Sequence, residues 1–521
     1  MDLQKPISRR TVLKGAAVGA GAFMLKDLVG PQLAQAVDSE VWSPSGRRSY
    51  AIPSLAQGVK IIPVLTVGET AENGYRLAGL LDGLGIWVDP GKINVAMYHE
   101  MAATLGAEHA HGSKGAFVSK WTLEPNTLRV LEGSDLIQKL YQWDTPNKAW
   151  KQETMALTRL CSADMAPPSA FQSGALGTAD RIFLGGEEYT DGYAWASIAT
   201  GPQAGESWAL PRLGRFAWEN AVASPHSKDK TIVVGLDDSA LSTTASSTAY
   251  PCEVYFYIGT KQATGNVIEK AGLTNGKLYG VMVARNDGTK ITEESNSFGL
   301  GSSTTDFMGR ARFGLVELGP SGDVSGMNAR QLEDESNTKC VFRFQRCEDG
   351  CWDPRPAFKN DFYFVTTASL DPRQNSRLWR LRFDDLDNPL AGGTIEILLR
   401  GGEGQRMFDN ICMDFSGRIM LQEDTGNMPW VAKIWCYVPA NGRFFEVAMH
   451  DPQLFEPNDP PRGAFITQDE ESSGITDASG ALGPGWFLFV VQSHKSSPDP
   501  ELVEGGQLLA LWVDPRLGIS L

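Results

Sequence analysis

Short runs rich in β-branched and aromatic residues recur along this chain, each closed by Gly, Asn, Asp or Pro. That rhythm leaves little room for helices and predicts an all-β fold. The runs include Thr231–Gly235, Val254–Ile258, Leu278–Val283, Val341–Phe344, Phe362–Thr366, Arg377–Phe383, Thr394–Leu399, Arg418–Gln422, Ile434–Val438, Arg443–Val447, Trp486–Val491 and Leu508–Val513. Several alternate with a period of two, as Leu378-Trp379-Arg380-Leu381-Arg382-Phe383 does. Alternation marks a strand that turns one face to a core. Asn441-Gly442 lies between two runs and predicts a hairpin turn, whose central positions need φ above zero. Asp414–Arg418 predicts a second tight turn. Gly, at 55 of 521 residues, exceeds the usual ~7% and supplies such turns. Ala204–Leu213 and the Pro- and Asp-rich Asp451–Gly463 read as loops, and the latter does not read as a domain linker. Many short antiparallel strands suggest a propeller or a large sandwich, built as one domain over residues 37–521. No repeat of fixed period is visible.

Composition narrows the partners. Apolar residues make up 42% and charged residues 21%, which excludes a disordered chain. The formal net charge of −15 argues against nucleic acid or an anionic membrane surface. It permits bound cations.

The first 36 residues read as an export signal. Ser8-Arg9-Arg10-Thr11-Val12-Leu13-Lys14 precedes a weakly apolar, Gly- and Ala-rich stretch, and Ala34-Gln35-Ala36 supplies small residues at a cleavage point. This is the pattern of the twin-arginine route. The stretch is too short to span a membrane core of about 30 Å, and no later segment is long and apolar enough. The expected protein is periplasmic or secreted, with the twin-arginine export machinery as its first partner. That route carries folded proteins, often with a cofactor already loaded.

Other chemistries are thinly represented. Cys340, Cys347 and Cys351 are close in sequence, and a disulfide among them suits an exported protein better than a zinc site does. His109-Ala110-His111 is the one close histidine pair and reads as a solvent-exposed loop. No Gly-x-Ser-x-Gly elbow, His-Glu-x-x-His, phosphate loop or dinucleotide fingerprint is present.

Acidic pairs stand at the ends of apolar runs instead: Glu187-Glu188, Asp237-Asp238, Glu348-Asp349 and Glu423-Asp424. In a propeller, strand ends converge on one mouth. Carboxylates gathered there repel one another unless a cation lies between them, and calcium takes six to eight oxygens.

With these residues in view the chain resembles the PhoX-type alkaline phosphatases, which use the twin-arginine route. The resemblance rests on an ordered set: Tyr98-His99-Glu100, Cys161-Ser162-Ala163-Asp164, Gly186-Glu187-Glu188, Gly214–Glu219, Asp237-Asp238, Arg346-Cys347-Glu348-Asp349 and Phe408-Asp409-Asn410-Ile411. It spans about residues 90–515. It implies a six-bladed β-propeller with inserted loops and few short helices, and a site with ferric iron and calcium. Cys161 matches the iron-binding thiolate. Glu187, Glu219 and Glu348 match carboxylate ligands, and Glu100, Glu188, Asp238, Asp409 and Asn410 match positions near the metals. Glu471 would add a late acidic residue to the mouth. Arg215 and Arg346 are placed to grip phosphate or to pair with neighbouring acids. The family's Cys-Ala-Gly-Gly is Cys161-Ser162-Ala163-Asp164 here, its second cysteine is Gly186, and its Arg-Pro-Glu is Arg346-Cys347-Glu348, so this is a divergent branch.

The expected activity is hydrolysis of a small-molecule phosphate ester by a metal-bound oxygen nucleophile. Two other readings share the acidic mouth: a non-catalytic calcium-binding propeller that holds a ligand or partner, and a calcium-dependent lactonase.

Overall fold

The computed structural model describes residues 44–238, 251–284, 288–292, 309–367, 376–457 and 463–519. The expected export signal lies outside the described residues.

One unit recurs, a meander of antiparallel strands. The first sheet is Leu81–Asp89, Lys92–His99, Phe117–Leu123 and Val130–Asp135. The second meander is Leu160–Asp164, Ile182–Glu187, Ala194–Ile198 and Glu206–Ala209. A hairpin, Lys139–Asp144 with Ala149–Glu153, is added parallel to its outer strand. The eleven-stranded sheet contains two meanders. One runs from Trp218–Ala223 to Lys277–Ala284 and the other from Cys347–Trp352 to Gly393–Leu399. Arg310–Leu318 pairs with the outer strand of each and fuses them. Phe408–Met413 opens the next meander, which Ala51–Pro53 extends at its outer edge. The last is Glu470–Asp477, Trp486–Ser496 and Glu504–Val513, and Val59–Thr66 from the other end of the chain completes it.

The opening strands of these meanders pack each on the next in a closed ring, with Glu470–Asp477 returning to Leu81–Asp89. The fold is therefore all-β and propeller-like. Sheets covered on both faces need near-continuous apolar strands. Lys230–Asp237 is buried from Thr231 onward for that reason. Aromatic side chains fill the spaces between neighbouring meanders: Tyr98 meets Phe183 edge-on at 4.8 Å, and Phe344 meets Trp379 at 5.3 Å. Such pairs add to the burial of apolar area.

The strand expectations hold within a few residues. Arg377–Phe383 is a strand over that full span. Val438 pairs with Arg443 across Asn441-Gly442, with Gly442 at φ 70°. Some expectations need correction. Val341–Phe344 narrows to the strand Arg343–Gln345. Ala204–Leu213 holds the strand Glu206–Ala209, because Trp208 and Leu210 are buried in the core. Cys340, Cys347 and Cys351 are free thiols. His109 and His111 do not stand in solvent: His109 Nδ1 lies 3.2 Å from Asp135, and His111 is 4% exposed. Among the described residues the longest helix is Ala329–Thr338, and none is long and apolar enough to cross a membrane.

Candidate metal site

Each strand of the inner ring carries a potential ligand at its second residue. They are Asp82, Cys161, Glu219, Glu348, Asp409 and Glu471. Equal position on strands that converge on one axis brings these six side chains together. A second tier comes from the strands next outward, which run back to the same mouth. The residue just past each strand end is Glu100, Glu188, Asp238 or Asp424 in four of the meanders.

The ligand atoms form four groups, each within 4.8 Å: Asp82, Glu100 and Cys161; Cys161, Glu188 and Glu219; Glu219, Glu348 and Asp409; Asp409, Asp424 and Glu471. Cys161, Glu219 and Asp409 each belong to two groups, so the groups form a continuous arc. At an effective dielectric of about 20, unit charges at such spacing repel by about 3.5 kcal/mol. Only protons or cations relieve that. Burial, reinforced by neighbouring carboxylates, pushes Asp82, Glu219, Glu348 and Asp409 well above the usual carboxylate range. Burial lifts Glu100 to about 8, against the pull of Arg159. Asp424 rises to about 6, from burial and then Glu471. Burial would raise Glu471 too, but the hydrogen bond and charge of His494 outweigh it and hold Glu471 low. The Cys161 thiol, raised by burial and the acids around it, donates to Glu219 at 3.2 Å.

Asp82 offers the clearest sign of a ligand role. It is fully buried, and neither carboxylate oxygen has a hydrogen-bond partner among the described residues. A buried carboxylate in that state is costly unless something positive meets it. The donor set of many carboxylates and one thiolate fits hard cations beside a more polarising metal.

The backbone entering the ring is strained in a repeated way. Leu80, Arg159, Arg346 and Met407 each stand two residues before a ligand, and each has φ between 45° and 60°. Left-handed backbone is unfavourable for such residues and collects at functional sites. At two of these positions it carries an arginine to the mouth. Arg159 bonds Glu100 at 2.9 Å and also Glu188. Arg346 bonds Asp238 at 2.9 Å and Glu348 at 3.0 Å. Arg159 is 49% exposed and Arg346 30%, so neither side chain is closed off from solvent.

The remaining expected residues lie elsewhere. Glu187 turns into its own sheet, where Thr158 N, Tyr193 N and Trp195 Nε1 donate to it at 3.2, 3.4 and 3.1 Å. Glu423 takes the Trp435 indole at 2.8 Å and Thr366 takes that of Trp379 at 3.0 Å, so this is a recurrent brace within the meander. Asn410 lies beneath the cluster: it donates to Ser162 at 2.8 Å and accepts from Gly474 N. Ser162 in turn donates to Glu219 at 2.6 Å. Asp238 reaches the mouth but belongs to none of the four groups. Arg215 points away, stacked on Tyr193 and paired with Asp191 at 2.5 Å. Sequence reasoning missed Asp82 and Arg159. It noted Asp424 only as part of an acidic pair. The common signal is an acid or thiol at the second residue of each ring strand.

No family model and no curated protein matches the chain. Solved structures do. The PhoX of Pseudomonas fluorescens, in complex with vanadate, a transition-state analogue, is similar at a TM-score of 0.58 and 13% identity, over 89% of this chain and 97% of that one. The GH93 α-L-arabinofuranosidase of Fusarium graminearum with arabinobiose has a TM-score of 0.40 and 8% identity, over 87% and 98%. The α-L-arabinanase of Penicillium chrysogenum with arabinobiose has a TM-score of 0.36 and 8% identity, over 89% and 98%. The likeness to PhoX agrees with an all-β, propeller-like fold, and at this identity it carries the fold alone.

Proposed function

We propose that the chain is an exported, metal-dependent phosphoesterase on a six-bladed propeller, formed as one domain from about residue 37. One observation carries the reading: an arc of buried acids and one thiol, overlooked by two arginines, Arg159 and Arg346. The two guanidinium groups steady the acids they pair with, and they also place positive charge beside the ligands where an anion would lie. A site that must also hold an anion needs them. The resemblance to the PhoX-type phosphatases and the shared fold support the same reading. Calcium and ferric iron fit the donors, with Cys161 toward the iron.

Bound metals would supply charge stabilisation and a more acidic nucleophile. The chain's own residues do the rest. Asp82, Glu100, Glu188, Glu219, Glu348, Asp409, Asp424 and Glu471 form the arc of acids that would hold the cations. Ser162 and Asn410 fix the lower edge of that arc. Arg159 and Arg346 offer N–H forks to the phosphoryl oxygens, where charge builds in the transition state. The braces at Glu187 and Glu423 keep the meanders rigid beneath the mouth. Export by the twin-arginine route to the periplasm or beyond suits a site filled before translocation.

The test is hydrolysis of 4-nitrophenyl phosphate with calcium present and again after chelation. Calcium-dependent turnover that is lost in Cys161→Ala supports the proposal. A folded, metal-loaded sample with no turnover of phosphomonoesters or diesters refutes it, and turnover of lactones alone would assign a lactonase.

A further inference from the structure

The hairpin Lys139–Asp144 with Ala149–Glu153 is an addition to the meander it joins. The other four strands of that sheet repeat the pattern of their neighbours, and the hairpin attaches outside them in parallel. Its two tryptophans face each other across the strands, in register. Trp143 and Trp150 meet edge-on at 5.2 Å, and Trp150 meets buried Trp208 edge-on at 5.1 Å. Neither Trp143 nor Trp150 is fully buried. Of the two indoles, Trp150 packs on the rim of the core through Trp208, and Trp143 stands outside it against Trp150.

They form one wall of a cavity of about 330 Å³. That volume is at the lower end of those that hold small molecules. Four charged residues line it: Lys148, Arg212, Glu269 and Asp323. Two are basic and two acidic, so the walls carry no formal net charge. Asp323 is paired with Arg212 at 2.7 Å, and Glu269 is engaged in the cap of the helix Val267–Lys270. The acids are thus already satisfied, and the cavity does not call for a charged ligand. It calls for one with weakly polarised C–H faces to lie on indoles, whose faces are negative, and with hydroxyls at its edge for the charged rim.

We propose that this cavity binds a neutral sugar ring, apart from the acidic mouth. The ring would lie against Trp143 and Trp150, with its hydroxyls toward Arg212, Asp323 and Lys148. The claim does not depend on the phosphoesterase reading, since none of these residues belongs to the four ligand groups.

The experiment is isothermal titration of the full chain with glucose, galactose, mannose, N-acetylglucosamine, cellobiose and maltose, with calcium present. At least one should bind saturably and quench tryptophan emission. Trp143→Ala should weaken that binding at least tenfold, about 1.4 kcal/mol, and leave circular dichroism and phosphate binding unchanged. Arg212→Ala should also weaken it, and Glu219→Gln, in the acidic mouth, should not. The proposal is overturned if no sugar of the panel binds. It is equally overturned if binding survives in both Trp143→Ala and Arg212→Ala, or is lost in Glu219→Gln.

Discussion

Chelated protein should lose stability as pH rises through neutrality, the reverse of ordinary acid denaturation. Glu100 titrates near 8 in the fold against an ordinary value of 4.5. Between those values the native chain keeps a proton that the unfolded chain releases. Stability is then greatest below about 4.5 and falls until the native group has ionised. One such group removes about 1.4 kcal/mol per pH unit, hence about 3 kcal/mol between pH values of about 5.5 and 7.5. Asp424, at about 6, adds to the fall at the acid end. Asp82, Glu219, Glu348 and Asp409 are raised too and act in the same direction. His494, raised to about 12 by Glu471 and Glu504 against the effect of burial, adds to the fall above its ordinary value. Glu471, held low, acts only in the acid range. A loss of about 3 kcal/mol is a large part of the 5–15 kcal/mol typical of folded domains. Urea unfolding at several pH values, with a chelator and with calcium, reads it directly. Calcium should flatten the curve, because a cation replaces the protons. Chelated protein whose stability stays level or climbs across this window would refute the electrostatic account of the cluster.

Further outcomes follow from single residues. Asp82→Asn should soften the loss of stability of the chelated protein at rising pH and lower its calcium content, measured by unfolding and metal analysis, because an amide cannot ionise. Glu187→Ala should destabilise by about 2–4 kcal/mol by leaving three N–H groups without an acceptor, while metal content is kept. Arg159→Ala and Arg346→Ala should each weaken inorganic phosphate binding about tenfold or more in calorimetry, and Arg215→Ala should leave it unchanged.

The strands were legible because their pattern is local. Burial on both faces makes long apolar runs, and turn chemistry marks their ends at Asn441-Gly442 and Asp414–Arg418. The meander repeat was not legible, because Arg310–Leu318 and the added hairpin break its spacing. The same insertions hid the common position of Asp82, Cys161 and Glu471 on their strands. The acidic pairs were visible in sequence, but the role of each member was not. Successive residues of a strand point to opposite sides, so Glu187 braces Trp195 while Glu188 reaches the mouth. Arg159 was invisible because its place depends on a left-handed backbone two residues before Cys161. Arg215 was singled out by its neighbours in sequence, and Tyr193 and Asp191 hold it elsewhere.

Val59–Thr66 closes the sheet of Glu504–Val513, so two strands far apart along the chain meet in one seam. Until that seam is fastened the hoop is open, and Asp82 and Glu471 lie on the two strands beside the gap. A nascent or truncated chain therefore cannot gather the full set of acids, however well its separate meanders form. At about 0.6 kcal/mol per doubling of loop length, joining such distant segments costs about 3 kcal/mol more than closing a loop of about ten residues. A variant lacking either strand of the seam should leave Asp82 and Glu471 without that closure.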